Sequence, residues 1–169
     1  MPPPPQHTSS QADRWPGAKS FGIRAGYGGS TATPGIDVGN VGIKVLLTDS
    51  LALDADLGLG IISSAHDSSS TFALDAGLDI YLGDAHRSLR PFIPLFFGLG
   101  VVNGTLAGDF GGGSQFQLAL GGGFGAEYFF AKQFSVSAEL LLGIHFIDFD
   151  PVTVAIGTVT PGVFATYYF

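Results

Sequence analysis

After Ser20 the chain alternates in twos. Over 51–61, Leu51, Leu53, Ala55, Leu57, Leu59 and Ile61 are apolar, while the intervening Ala52, Asp54, Asp56, Gly58 and Gly60 are small or acidic. Residues 72–82 repeat this, with Phe72, Leu74, Ala76, Leu78, Ile80 and Leu82 against Ala73, Asp75, Gly77, Asp79 and Tyr81. Over 134–145, Phe134, Val136, Ala138, Leu140, Leu142 and Ile144 oppose Ser135, Ser137, Glu139, Leu141, Gly143 and His145. Side chains of a strand alternate faces, so period two sorts these residues, whereas helical spacing would mix Asp and Leu around a cylinder. The same pattern predicts strands over 21–29, 40–47, 115–130 and 154–169. A poorer one covers 91–102, where Pro94 cannot donate to a ladder and predicts a bulge, and Phe96 falls on the wrong face. Eight strands result.

The connections alternate in length. Thr48-Asp49-Ser50 and Ala131-Lys132-Gln133 are short, whereas 30–39, 63–70, 103–114 and 146–153 are longer and rich in Gly, Ser and Asp. Only 83–90 is longer than this pattern wants. Short turns at one end and longer loops at the other predict an up-and-down meander. Residues 1–19 (MPPPPQHTSSQADRWPGAK) read as a disordered tail, and 20–169 as the folded unit. Pro2 to Pro5 follow Met1 without the charged-then-apolar layout of an export signal. With strands of this kind, the expectation is a mature form carrying an added Met.

Composition says what the apolar face meets. The 169 residues carry net charge −7, and only 12% are charged, about half the usual share of roughly 25%. Yet 46% are hydrophobic, mean hydropathy is +0.37 and 26 are glycine. So much apolar surface must face something other than water. The longest apolar stretch, 91–102, falls short of the ~18 residues of a membrane-spanning helix. No cysteine is present, which removes disulfides, thiol catalysis and Cys-based zinc sites. Seven scattered Lys and Arg argue against nucleic acid.

If the apolar face pointed inward, as in a soluble ligand-binding barrel, the exterior would be bare glycine. The Phe and Leu side chains would also crowd a lumen just wide enough for side chains. Reversed, bulky residues meet hydrocarbon and small or polar ones fill the interior. Ten residues per strand, tilted ~45°, cross an apolar band of about 25 Å. Backbone groups in lipid must pair internally, so the sheet must close. The expected fold is therefore all-β, a closed eight-stranded antiparallel transmembrane barrel. Phe21, Tyr128, Phe130, Phe134, Tyr167 and Phe169 gather at the short-turn side, as expected of aromatics at a membrane interface.

The last strand, TVTPGVFATYYF, ends on Phe169 with Tyr167, Ala165 and Val163 on one face. Together with the alternating strands before it, this resembles the OmpA/OmpX-type eight-stranded outer-membrane barrels over residues 20–169. The resemblance implies a bacterial outer membrane, contact with the bilayer and lipopolysaccharide, and a terminal signal at Phe169 and Tyr167 read by the barrel-assembly machinery. It implies a tail on the periplasmic side and a monomer. The peptidoglycan-binding domain that often follows an OmpA-like barrel is not expected after Phe169.

The predicted interior carries Arg24, Lys44, Asp54, Asp56, Asp75, Asp79, Glu127, Glu139 and His145. Charges in a narrow lumen need partners. Two readings stand: a salt-bridged plug, or a gated cation path, since six carboxylates face two bases. Some similar barrels modify lipid A, and His66-Asp67-Ser68 in a loop with His145 near the rim are the residues to consider, but a triad is defined by geometry rather than adjacency. Asp37, Asp67, Asp109, Asp148 and Asp150 in the loops suit a solvated surface more than divalent-cation sites. Gly111–Gly113 and Gly121–Gly125 lack the lysine and serine of a phosphate loop. The expectation is a structural or surface-contact barrel, porin-like in form, with no catalytic role, metal or cofactor; the alternatives are a small ion or solute channel, then a lipid A-modifying enzyme.

Overall fold

The structure is a computed structural model that describes residues 15–28, 39–63, 68–85, 87–104, 113–149 and 152–169. The eight strands are β1 (Phe21–Gly28), β2 (Gly39–Leu46), β3 (Leu51–Ser63), β4 (Ser68–Tyr81), β5 (Leu89–Gly104), β6 (Gly113–Ala131), β7 (Phe134–Phe149) and β8 (Val152–Tyr168). Each pairs antiparallel with its neighbours in chain order, and β1 pairs with β8, so the barrel is closed. Closure leaves no sheet edge in the belt where the two meet, from Gly22↔Tyr168 to Gly28↔Gly162.

Register follows from the alternation. Between β3 and β4, Leu53 faces Leu78, Ala55 faces Ala76 and Leu57 faces Leu74, while Asp54 faces Gly77 and Asp56 faces Asp75. A slip of one residue would put aspartates outside, so the pattern fixes the pairing. Leu53, Leu74, Leu95, Leu120, Leu140 and Val163 are exposed on the outer surface. Arg24, Lys44, Asp79, Glu127 and His145 are buried inside.

Several boundaries and local expectations change. Strands β5 to β8 run 16, 19, 16 and 17 residues and extend beyond the expected segments at their loop ends, and β5 also begins two residues early, at Leu89 on the short-turn side. No bulge forms at Pro94. The β5–β6 ladder skips Ile93 and Pro94 and resumes at Leu95↔Gly122 in the same register, because Pro94 has no N–H to give. Phe96 is inside by design of its neighbours: a Cβ on Gly121 or Gly143 would come within 2.8 or 2.9 Å of its Cζ. Glycines on β6 and β7 thus make the space that a Phe on β5 fills. Near Gly157 the β7–β8 register shifts, from Gly143↔Thr158 to Ile144↔Ile156. That shift turns Ile156 and Val154 outward and breaks a simple alternation along β8.

Residues 15–19, expected to belong to the tail, pack on the barrel. Trp15 is buried against the short-turn end of the barrel, and the rest of the expected tail, residues 1–14, lies outside the described residues.

The inner glycines carry a testable cost. A Cβ on Gly125 would sit 2.6 and 2.7 Å from Cε2 and Cε1 of Phe92, which is itself buried against Tyr81. Gly125→Ala should therefore destabilise the barrel by about 1–3 kcal/mol through overpacking. Urea unfolding of refolded protein in lipid vesicles measures this; a variant as stable as the parent would show that Phe92 yields freely.

Candidate functional site

The inward charges form two clusters around the two cations set by β1 and β2. Lys44 Nζ lies 2.7 Å from Asp79 Oδ2 and 3.0 Å from Glu127 Oε2. Glu127 also accepts from Tyr81 OH, from Ser135 Oγ at 2.5 Å and from Tyr168 OH at 2.9 Å. Four donors thus converge on one carboxylate that is fully buried, and a buried carboxylate is tolerated only with such partners. The second cluster is looser. Arg24 lies 3.5 Å from Asp54, 3.3 Å from Asp56 and 3.9 Å from Glu139. Its guanidinium also stacks 3.7 Å from the Phe164 ring, an arrangement that favours a desolvated cation.

Of the predicted lumen residues, Arg24, Asp54, Asp56 and Glu139 come together, as do Lys44, Asp79 and Glu127. Asp75 stands opposite Asp56 in the β3–β4 ladder. Asp54, Asp56, Asp75, Asp79, Glu139 and Phe96 line a cavity of about 20 Å³, room for a single water. His145 is separate: it lies further along β7 toward the loops, between Ala119 and Ala155 in the ladders.

Sequence reasoning missed Arg90 and Trp15. Arg90 is 1% exposed, and its guanidinium stacks 4.1 Å from the Trp15 ring and 4.5 Å from Tyr81. Its parity with Phe92 was the available signal, one residue before the expected start of the strand. Among the described residues a third base, Arg90, is therefore buried inside the barrel beside Arg24 and Lys44, with ring faces and the Asp49 carbonyl as its contacts.

On the outside, Phe21, Phe130, Phe134, Tyr167 and Phe169 are exposed and Tyr128 is half-buried. They form two runs of ring contacts: Tyr128–Phe130 at 4.7 Å with Phe130–Phe134 at 5.7 Å, and Tyr167–Phe169 at 5.3 Å with Phe21–Phe169 at 6.2 Å. The aromatics occupy only the arc β6, β7, β8 and β1; around β2 to β5 the same end presents Leu47, Leu82 and Leu89. Of the catalytic candidates, His66 and Asp67 lie outside the described residues, as do Asp37, Asp109, Asp150 and Gly111–Gly112. Among the described residues no cluster of His, Asp and Glu could hold a metal ion.

No family model matches the chain, and no curated protein matches it. Solved structures do. The N-terminal β-barrel domain of Pseudomonas aeruginosa OprF aligns with 90% of this chain and 99% of its own at 20% identity and TM-score 0.57. The outer-membrane protein OprG from Pseudomonas aeruginosa covers 92% and 98% at 12% identity and TM-score 0.56. Ail, the attachment invasion locus protein of Yersinia pestis, covers 90% and 99% at 15% identity and TM-score 0.53. The fold is that of the eight-stranded outer-membrane β-barrels. In an outer-membrane barrel the exposed leucine and phenylalanine belt contacts lipid, and the buried charges sit in a hollow narrow enough for direct pairing.

Proposed function

We propose that this protein resides in the bacterial outer membrane and acts by structural and surface contact, its lumen plugged by its own charges. The observation that supports this reading is the spread of the ion pairs across the hollow. Arg24 on β1 reaches β3 and β7, and Lys44 on β2 reaches β4 and β6. The Lys44–Glu127 tie joins β2 to β6, opposite sides of the eight-stranded ring, the other ties each skip one strand, and the cavity beside them holds about 20 Å³. An ion passing through would have to separate buried opposite charges, which costs several kcal/mol. On this reading the barrel is monomeric, contacts lipopolysaccharide on its loop side, carries no enzymatic activity, and is assembled through its terminal strand at Tyr167 and Phe169.

Planar-bilayer recording of the refolded full chain tests the plug. Electrical silence is the expected result. Stable cation-selective steps would instead favour a small ion or solute channel, the reading to which the excess of carboxylates points.

A further inference from the structure

One segment at the short-turn mouth belongs to no strand. The Trp15 indole meets Phe129 edge-to-face, with centroids 4.8 Å apart at 74°, and Tyr81 at 5.9 Å and 80°. Its Nε1–H donates to Asp49 Oδ1 at 3.3 Å, in the turn between β2 and β3. Arg90 stacks beneath it and donates through Nη2 to the Asp49 carbonyl at 2.5 Å. Trp15 therefore covers a buried apolar group that includes Leu46, Ala52, Tyr81, Phe92, Phe129 and Tyr168, next to the Lys44–Glu127 cluster that Tyr81 and Tyr168 hold.

The chain bends sharply to put it there. Gly17 has φ +93°, and Lys19 has φ +66°, the one described non-glycine residue in the left-handed region. L residues other than Asn and Asp rarely adopt that conformation, and they keep it where surrounding contacts enforce it. Here the contacts are Lys19 N–H to the Leu46 carbonyl at 2.6 Å, Leu46 N–H to the Ser20 carbonyl at 2.9 Å and Ser20 Oγ to the Pro16 carbonyl at 2.9 Å. A short, bent segment, anchored to the barrel through Lys19 and Ser20 and held against it beyond them by ring faces, the Arg90 stack and one long hydrogen bond to Asp49, is separable from the wall it covers.

We infer that Trp15–Lys19 is a stopper for the short-turn mouth. Docked, it keeps water from Arg90, Tyr81 and the lower charge cluster. Released, it opens that end of the lumen while the strand ladder stays intact. This goes beyond the plugged-lumen reading: the ion pairs fill the middle of the barrel, and the stopper controls entry from one end.

The protein has no cysteine and one tryptophan, so both can be reporters. In the full chain refolded into lipid nanodiscs, A52C places a sole thiol in the covered group, and K132C places one in the exposed β6–β7 turn as a control. A water-soluble methanethiosulfonate reagent should modify the A52C thiol slowly. Adding W15A should speed that reaction at least about tenfold, as when local opening no longer limits access, and leave the K132C rate unchanged. In the otherwise native chain, D49A should shift Trp15 emission to the red and raise its quenching by acrylamide, which keeps the test alive if W15A fails to fold. An A52C rate that W15A does not change, or Trp15 already open to acrylamide in the native protein, would overturn the stopper. Ionic current through the W15A barrel but not through the native one would overturn the plug and support the stopper, whereas a silent W15A barrel with an unchanged A52C rate would overturn the stopper and leave the plug, so the two fail separately.

Discussion

Replacing Lys44 by methionine should destabilise the barrel by about 3–5 kcal/mol, the cost of breaking a buried ion pair from one side. Lys44 is the cation that both Asp79 and Glu127 contact, at 2.7 and 3.0 Å, and the side chains of these acids are 3% and 0% exposed. Without it, two carboxylates remain in the hollow with no base at hydrogen-bonding distance and little water to replace it. Arg24 is the weaker comparison. Its contacts are 3.3–3.9 Å, and its acids are 8–11% exposed, so some hydration can stand in for the guanidinium. Glu127→Gln keeps the Lys44–Asp79 pair and should cost less, about 1–3 kcal/mol, for turning an amide toward converging donors. The triple variant K44M/D79N/E127Q removes the charges together and should be less destabilised than K44M alone. Urea unfolding in lipid vesicles, followed by heat-modifiable gel mobility, ranks the three. If K44M and E127Q cost the same, the sharing of one lysine by two acids is not what holds this layer.

The sequence made the wall legible and left part of the filling hidden. Strands β3, β4 and β7 were readable because alternation is a local property: Leu57 and Asp56 must face opposite ways whatever their partners are. The two ion clusters were legible only as a set of inward charges. That Lys44 meets Asp79 and Glu127 rather than Asp54, its partner in the β2–β3 ladder, depends on side chains crossing the lumen. Phe96 looked misplaced for the same reason, since the glycines that receive it lie on β6 and β7. Trp15 gave no signal at all. It sits among polar and proline residues without periodicity, and its burial comes from rings contributed by β4 and β6 and from the β2–β3 turn. The shift near Gly157 is a subtler failure: one extra residue on β8 reverses which of its neighbours face outward, and nothing in the local sequence says which residue is extra.

The sign of a surface substitution separates a lipid-facing belt from a wet one. Leu140 on β7 is 55% exposed and lies opposite Phe124 and Pro161, midway along the apolar stretch that rises from Phe134. On a water-soluble barrel, Leu140→Arg would trade an exposed apolar side chain for a solvated one and cost little. In hydrocarbon the guanidinium must be carried into the bilayer, and Leu140→Arg should lose about 2–4 kcal/mol, against roughly 0–1 kcal/mol near the interface. Leu89 is the interface control: it is 56% exposed and starts β5 at the short-turn end, opposite Tyr128 in the β5–β6 ladder. L89R should therefore refold into phospholipid vesicles almost as the parent does, while L140R should refold poorly and unfold at lower urea. The two positions are equally exposed, so area alone predicts equal effects, and only depth in a membrane separates them. Equal stability of L140R and L89R in vesicles would mean that the leucine belt does not lie in hydrocarbon, and the outward placement of these side chains would need another partner to explain it.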